Sequence, residues 1–126
     1  MPISVKRNFD GVDFYTRFDG RITVEEVADY FLEITSESDS FANKCALLEF
    51  GDVTFRGVRF DTVMQLARLT KQHQDLLEGS RTAVVASGPL AYGIVRMYIG
   101  IRDPSYDFEV FRTRDEAMDW LSQKAD

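Results

Sequence analysis

The sequence holds one cysteine, one histidine, three prolines and eight glycines in 126 residues, and its longest unbroken apolar runs, Cys45–Leu48 and Ala83–Ala86, are four residues long. Each shortage excludes something. A lone Cys45 makes no intramolecular disulfide, so a reducing cytoplasm is the expected setting. The apolar runs fall far below the roughly 20 residues that cross a bilayer, so no transmembrane segment is expected. The opening Met-Pro-Ile-Ser-Val-Lys-Arg has no signal-peptide hydrophobic region. Basic residues are also in deficit: 15 Lys and Arg against 21 Asp and Glu leave a net charge of -6, which repels a phosphate backbone and argues against a nucleic-acid partner. What the chain does have is apolar mass, 44% hydrophobic residues including 10 Phe, 5 Tyr and 1 Trp, which excludes disorder. Residues 1–126 are expected to form a single domain.

Phe9-Asp10-Gly11-Val12 is the strongest local signal, because Asp-Gly supplies the two positive-φ residues of a type I′ turn. Closing it pairs Phe9 with Val12, Arg7 with Phe14, Val5 with Thr16 and Ile3 with Phe18. One face is then apolar apart from Arg7, and the other carries Ser4, Lys6, Asn8, Asp13, Tyr15 and Arg17. After Asp19-Gly20, read as an ordinary turn like Phe50-Gly51 further on, the period becomes helical. Thr23-Val24-Glu25-Glu26 is a capping box, and Val24, Val27, Ala28, Phe31 and Ile34 make one stripe. Two apolar strands follow, Lys44–Phe50 and Arg81–Ala86, each suited to cover on both faces.

Between them a second helix is predicted from near Asp61 to Gly79, with adjacent stripes Phe60/Val63/Met64/Ala67 and Leu66/Leu69/His73/Leu76. A third follows Ser87-Gly88-Pro89 and ends before Asp103-Pro104. A strand at Asp107–Arg112 leads into the capping box Thr113–Glu116 and a fourth helix, with Ala117, Trp120 and Leu121 inward. The order ββαβαβαβα is an α/β architecture: a small mixed, mostly parallel sheet with an N-terminal antiparallel hairpin and four helices.

That order, with Gly20-Arg21-Ile22-Thr23, Ala46-Leu47-Leu48-Glu49, Arg81–Ala86 and the ending Val110-Phe111-Arg112 through Glu116-Ala117 to Trp120-Leu121, resembles the bacterial SpoIIAA-like family over nearly the whole chain. The resemblance implies a STAS-like fold, with kinship to CRAL-TRIO-type lipid carriers. In STAS anti-anti-sigma factors a phosphorylated Ser opens the helix after the second core strand. The corresponding stretch here, Phe50 to Gly57, contains no Ser, and Thr54 is its one hydroxyl, so no phosphorylation switch is expected there.

No complete catalytic or metal-binding constellation is visible, and no cofactor is implied. His73 lies on an apolar helix stripe without ligand partners, and Cys45 sits in an apolar strand. Glu49 and Asp52, near the carboxyl end of a core strand, suit acid/base or metal chemistry, or else Glu49 pairs with an Arg at the sheet end. Ser87-Gly88-Pro89 opens a helix, where Ser87 serves as an N-cap or the free amides attract an anion. Arg56 and Arg59 flank the start of the second helix; 11 of the 15 basic residues are Arg, which favours planar ion pairs.

The third helix is apolar nearly all round. Leu90, Ile94, Met97 and Ile101 are expected to face the sheet, leaving Tyr92, Val95, Arg96 and Tyr98 for an interface or ligand. A cleft near Ser87, Thr54 and Arg56 is the other candidate. The expected function is a non-enzymatic STAS-like regulatory or protein-interaction module, acting as a homodimer or with a protein partner. The competing reading is a binder of a lipid-like or other apolar small molecule.

Overall fold

Asp10 and Gly11 both hold positive φ, 50° and 84°, and close the turn that their chemistry dictates. The computed structural model describes residues 3–36, 43–55, 60–102 and 106–123. The turn joins β1 (Ile3–Phe9) to β2 (Val12–Ile22), and every predicted pair of the apolar face is present, from Phe9↔Val12 to Ile3↔Phe18. Arg7, the misfit on that face, lies over the Phe14 ring at 5.1 Å. Then come α1 (Val24–Ser36), β3 (Cys45–Phe55), α2 (Phe60–Gln72), the single turn α3 (Gln74–Leu77), β4 (Arg81–Ala86), α4 (Pro89–Ile101), β5 (Asp107–Phe111) and α5 (Arg114–Ser122). Both capping boxes form: Glu26 N donates to Thr23 Oγ1 and Glu116 N to Thr113 Oγ1, each at 3.2 Å.

The strands lie in chain order, β1 to β5, with the first pair antiparallel and the rest parallel. Right-handed crossovers that all step in one direction must put their helices on one face of the sheet. The side chains agree. Even-numbered Phe14, Ala46, Val84 and Val110 pack with Ile34 of α1, Leu77 of α3, and Ala91 and Val95 of α4. Odd-numbered Tyr15, Leu47, Ala83 and Val85 pack with Ala117 and Leu121 of α5, which follows the last strand and turns back over the other face. Covered on both faces, β4 is buried from Thr82 to Ala86.

Several expectations change. Asp19-Gly20 and Phe50-Gly51 are not turns: β2 and β3 run on through them as paired strands to Ile22 and Phe55. Gly20, at φ 79°, takes the register shift after Phe18. Gly51 leaves the space that Arg17 and Asp19 cross, and a Cβ there would collide with both. The second helix breaks at His73, whose backbone N donates to Thr70 O and whose Nδ1 lies 3.0 Å from Leu69 O. Phe60 faces outward at 54% exposure. On α4 the buried arc is Ala91, Val95 and Tyr98, while Leu90 is 63% exposed and Met97 38%. Small Ala91 and Val95 let the helix approach Val84, Ala86 and Val110 closely, and Ile94 and Ile101 turn toward α2. Asp103-Pro104 lies outside the described residues. No helix among the described residues is long and apolar enough to cross a membrane.

Candidate functional site

Between the sheet and its helical layer lies a cavity of about 140 Å³. The sheet contributes Phe18, Leu48, Phe50, Val84 and Phe108; α1 contributes Val27, Tyr30 and Phe31. Its other walls are Val63, Leu66 and Thr70 of α2, and Ile94, Val95 and Tyr98 of α4. Large rings create the void, because Phe18 meets Tyr30 edge-on at 5.5 Å and Tyr98 meets Phe108 at 5.0 Å, and such pairs do not collapse into each other. A second cavity of about 70 Å³ adjoins it, sharing Tyr30, Phe31, Leu48, Thr70, Tyr98 and Phe108.

The hydroxyls on the wall are bonded within the protein. Tyr98 donates to Thr70 Oγ1 at 3.0 Å and meets the Tyr106 hydroxyl at 2.5 Å, while Tyr30 meets Thr16 Oγ1 at 2.7 Å. Burial pushes the Tyr30 phenol up to about 12, and burial followed by the neighbouring Tyr106 pushes Tyr98 up as well. Both stay neutral in ordinary solution.

The opposite face carries the charge. Glu49 Oε1 accepts from Arg114 Nη2 and from the Tyr15 hydroxyl, each at 2.5 Å, with Arg17 Nη1 at 3.6 Å. Arg17 Nε in turn donates to Asp19 Oδ2 at 2.9 Å. Burial alone would raise the Glu49 pKa, but hydrogen bonds from Arg114 and Tyr15 and the charges of Arg114 and Arg17 outweigh it and hold the carboxyl below its ordinary value. A general base needs the opposite tuning, toward neutrality. The cluster is therefore a tie between sheet and helix, with Glu49 paired to arginines at the sheet end. Among the described residues, no group of three His, Cys, Asp or Glu stands close enough to hold a metal ion.

The structure separates the residues that sequence reasoning grouped. Val95 and Tyr98 line the cavity, and Tyr98 is buried, not an exposed handle, because Thr70 and Tyr106 supply its hydroxyl partners. Tyr92 is half-buried under the Arg112 guanidinium, 4.1 Å from its ring. Arg96 is exposed and reaches Glu109 at 3.8 Å. Ser87 is exposed and is not the N-cap; Gly88 takes that position, with Pro89 just inside the helix. The backbone of Thr54 belongs to β3, opposite Arg21, while its side chain and Arg56 fall outside the described residues. Sequence reasoning did not bring together the cavity's other ring walls, Phe18, Tyr30, Phe31, Phe50 and Phe108. Their one signal was an excess of aromatics over what the sheet-facing stripes needed.

A five-stranded sheet in chain order, antiparallel at its first pair and parallel after it, with its crossover helices on one face, defines the class: a SpoIIAA-like α/β fold. The crystal structure of an uncharacterised protein from the DUF3478 family with a SpoIIAA-like fold, from Shewanella loihica PV-4, matches it with a TM-score of 0.57. The match covers 94% of this chain and 91% of that one at 19% sequence identity, a likeness of fold. No protein-family profile matches the sequence. No curated protein matches it.

Proposed function

We propose that the protein is a non-enzymatic binding module over residues 1–126 that takes an apolar small molecule between its sheet and its helical layer. The cavity of about 140 Å³ carries this reading. The pocket is partly open and its lining is almost wholly apolar, so an apolar ligand seated there removes that surface from water. A ligand that fills it restores the missing contacts. The single cysteine, half-buried Cys45, can make no disulfide within the chain, which fits a reducing cytoplasm as the place of action. Extraction of natively purified protein followed by mass spectrometry tests the reading: an apolar compound released in near-stoichiometric amount supports it. Protein free of any such compound, and unmoved by added hydrocarbon, ends it.

The second reading is a homodimer or protein-interaction module using the outer face of α4. Leu90 and Met97 are exposed there, and Gly93 and Gly100 lie exposed on the same helix, so a partner can approach its backbone. Light scattering on the full chain and on Leu90→Asp separates the two: a dimer that becomes monomeric in the variant favours the interface, and a monomer in both removes it.

A further inference from the structure

We infer that the cavity selects an uncharged ligand built on one aromatic ring and rejects carboxylates and lipid headgroups, an inference that rests on the cavity being the binding site. Charge is the first argument. Among the described residues, none of those lining the cavity is charged. An ionised carboxylate placed there would lose its water and gain no cation. Polarity is the second. Thr70 Oγ1 donates to Ala67 O at 2.9 Å, so it accepts from Tyr98, and the Tyr98 hydrogen is thereby committed. Tyr106 must then be the donor in its 2.5 Å contact with Tyr98. The hydroxyls form a relay that ends on a backbone carbonyl, and neither Thr70 nor Tyr98 has a hydrogen left to offer a ligand.

Shape supplies the rest. Six of the walls are rings, Phe18, Tyr30, Phe31, Phe50, Tyr98 and Phe108, and a ring placed among them gains the edge-to-face contacts that aromatic pairs prefer. The volume, about 140 Å³, is close to that of engineered hydrocarbon-lined cavities of about 150 Å³ that take up benzene. The adjoining cavity of about 70 Å³ leaves room for a short alkyl substituent. A long acyl chain exceeds both.

The test titrates the full chain separately with ethylbenzene, benzoate and decanoate, following the methyl resonances of Val63, Val84 and Val95. Ethylbenzene is expected to shift those methyls with an affinity at least tenfold above either carboxylate. Val95→Phe, which fills the space, is expected to lower that affinity more than tenfold, and Val63→Ile serves if the larger change prevents folding. Benzoate or decanoate moving the same methyls with equal or greater affinity overturns the uncharged class while leaving the cavity as a binding site. Silence from all three probes overturns the inference together with the binding reading itself.

Discussion

Beneath α1, α2 and α4, Phe18, Leu48 and Val84 meet hydrocarbon and leave a cavity; beneath α5, Tyr15 and Glu49 meet arginine and form a bonded cluster. On the three-helix face the Tyr30 hydroxyl meets Thr16 Oγ1 and ties α1 to the sheet, but along the cavity wall ring size sets the spacing, and the rings stop short of closure. The single helix on the other face is pinned at both ends. Arg114 ties its first turn to Glu49, and Arg81 Nη2 donates to Trp120 O at 2.7 Å near its end, with the guanidinium 4.2 Å from the Trp120 ring. A cation at the carboxyl end of a helix also meets the favourable end of its dipole. Charge-assisted bonds thus position a helix of nine residues that buries little by itself, while apolar packing positions three larger ones with slack between them.

The largest effect should come from enlarging that slack. Phe18, 1% exposed on the cavity wall, is expected to cost about 3–5 kcal/mol as Phe18→Ala in urea unfolding. A loss below about 1 kcal/mol would mean that the layer collapses onto the void, and the contrast between the faces would fail.

On the other face, Glu49→Gln removes the charge that two arginines share and is expected to cost about 2 kcal/mol, within the range for bonds to charged groups. Because the folded pKa of Glu49 lies below its ordinary 4.5, the stability it adds is complete above that value and is lost as pH falls through the lowered one. The difference in melting temperature between wild type and Glu49→Gln should therefore shrink in acid. A difference constant with pH would show that packing, not charge, ties the helix.

Trp120 gives a loss of similar size, smaller than that of Phe18. It is half-buried between Phe111 and Arg81, so Trp120→Ala is expected to cost about 2 kcal/mol, less than the 3–5 typical of a fully buried aromatic ring. A calorimetric loss as large as that of Phe18→Ala would erase the contrast. The smallest effect has the opposite sign: Val63→Ile, adding one methyl toward the cavity, should stabilise the protein by about 0.5–1 kcal/mol and weaken hydrocarbon uptake. Destabilisation would indicate a wall already in contact.

Much of the framework was readable from residues alone. Asp10-Gly11 specified the hairpin and its register, Thr23–Glu26 and Thr113–Glu116 marked two helix starts, and the apolar runs of β3 and β4 announced strands with two covered faces. These features are local, fixed by φ preferences, by caps within one turn, and by period. The arc of α4 that meets the sheet was not readable, because nearly every position on that helix is apolar and periodicity cannot choose among equivalent stripes. Nor was the break at His73, where no Gly or Pro marks the helix end.

Local sequence therefore determined which segments become strands and helices and how the first two strands pair; that the connecting helices share a face follows from a strand order that only the tertiary structure sets. Tertiary structure alone decided that Tyr98 turns inward to Thr70 and Tyr106, that Glu49 meets Arg114 from 65 residues away, and that rings from the sheet, α1 and α4, with aliphatic side chains of α2, surround an open volume. Backbone preference and capping act over a few residues, whereas the size of a void depends on how side chains distant in sequence fill space together.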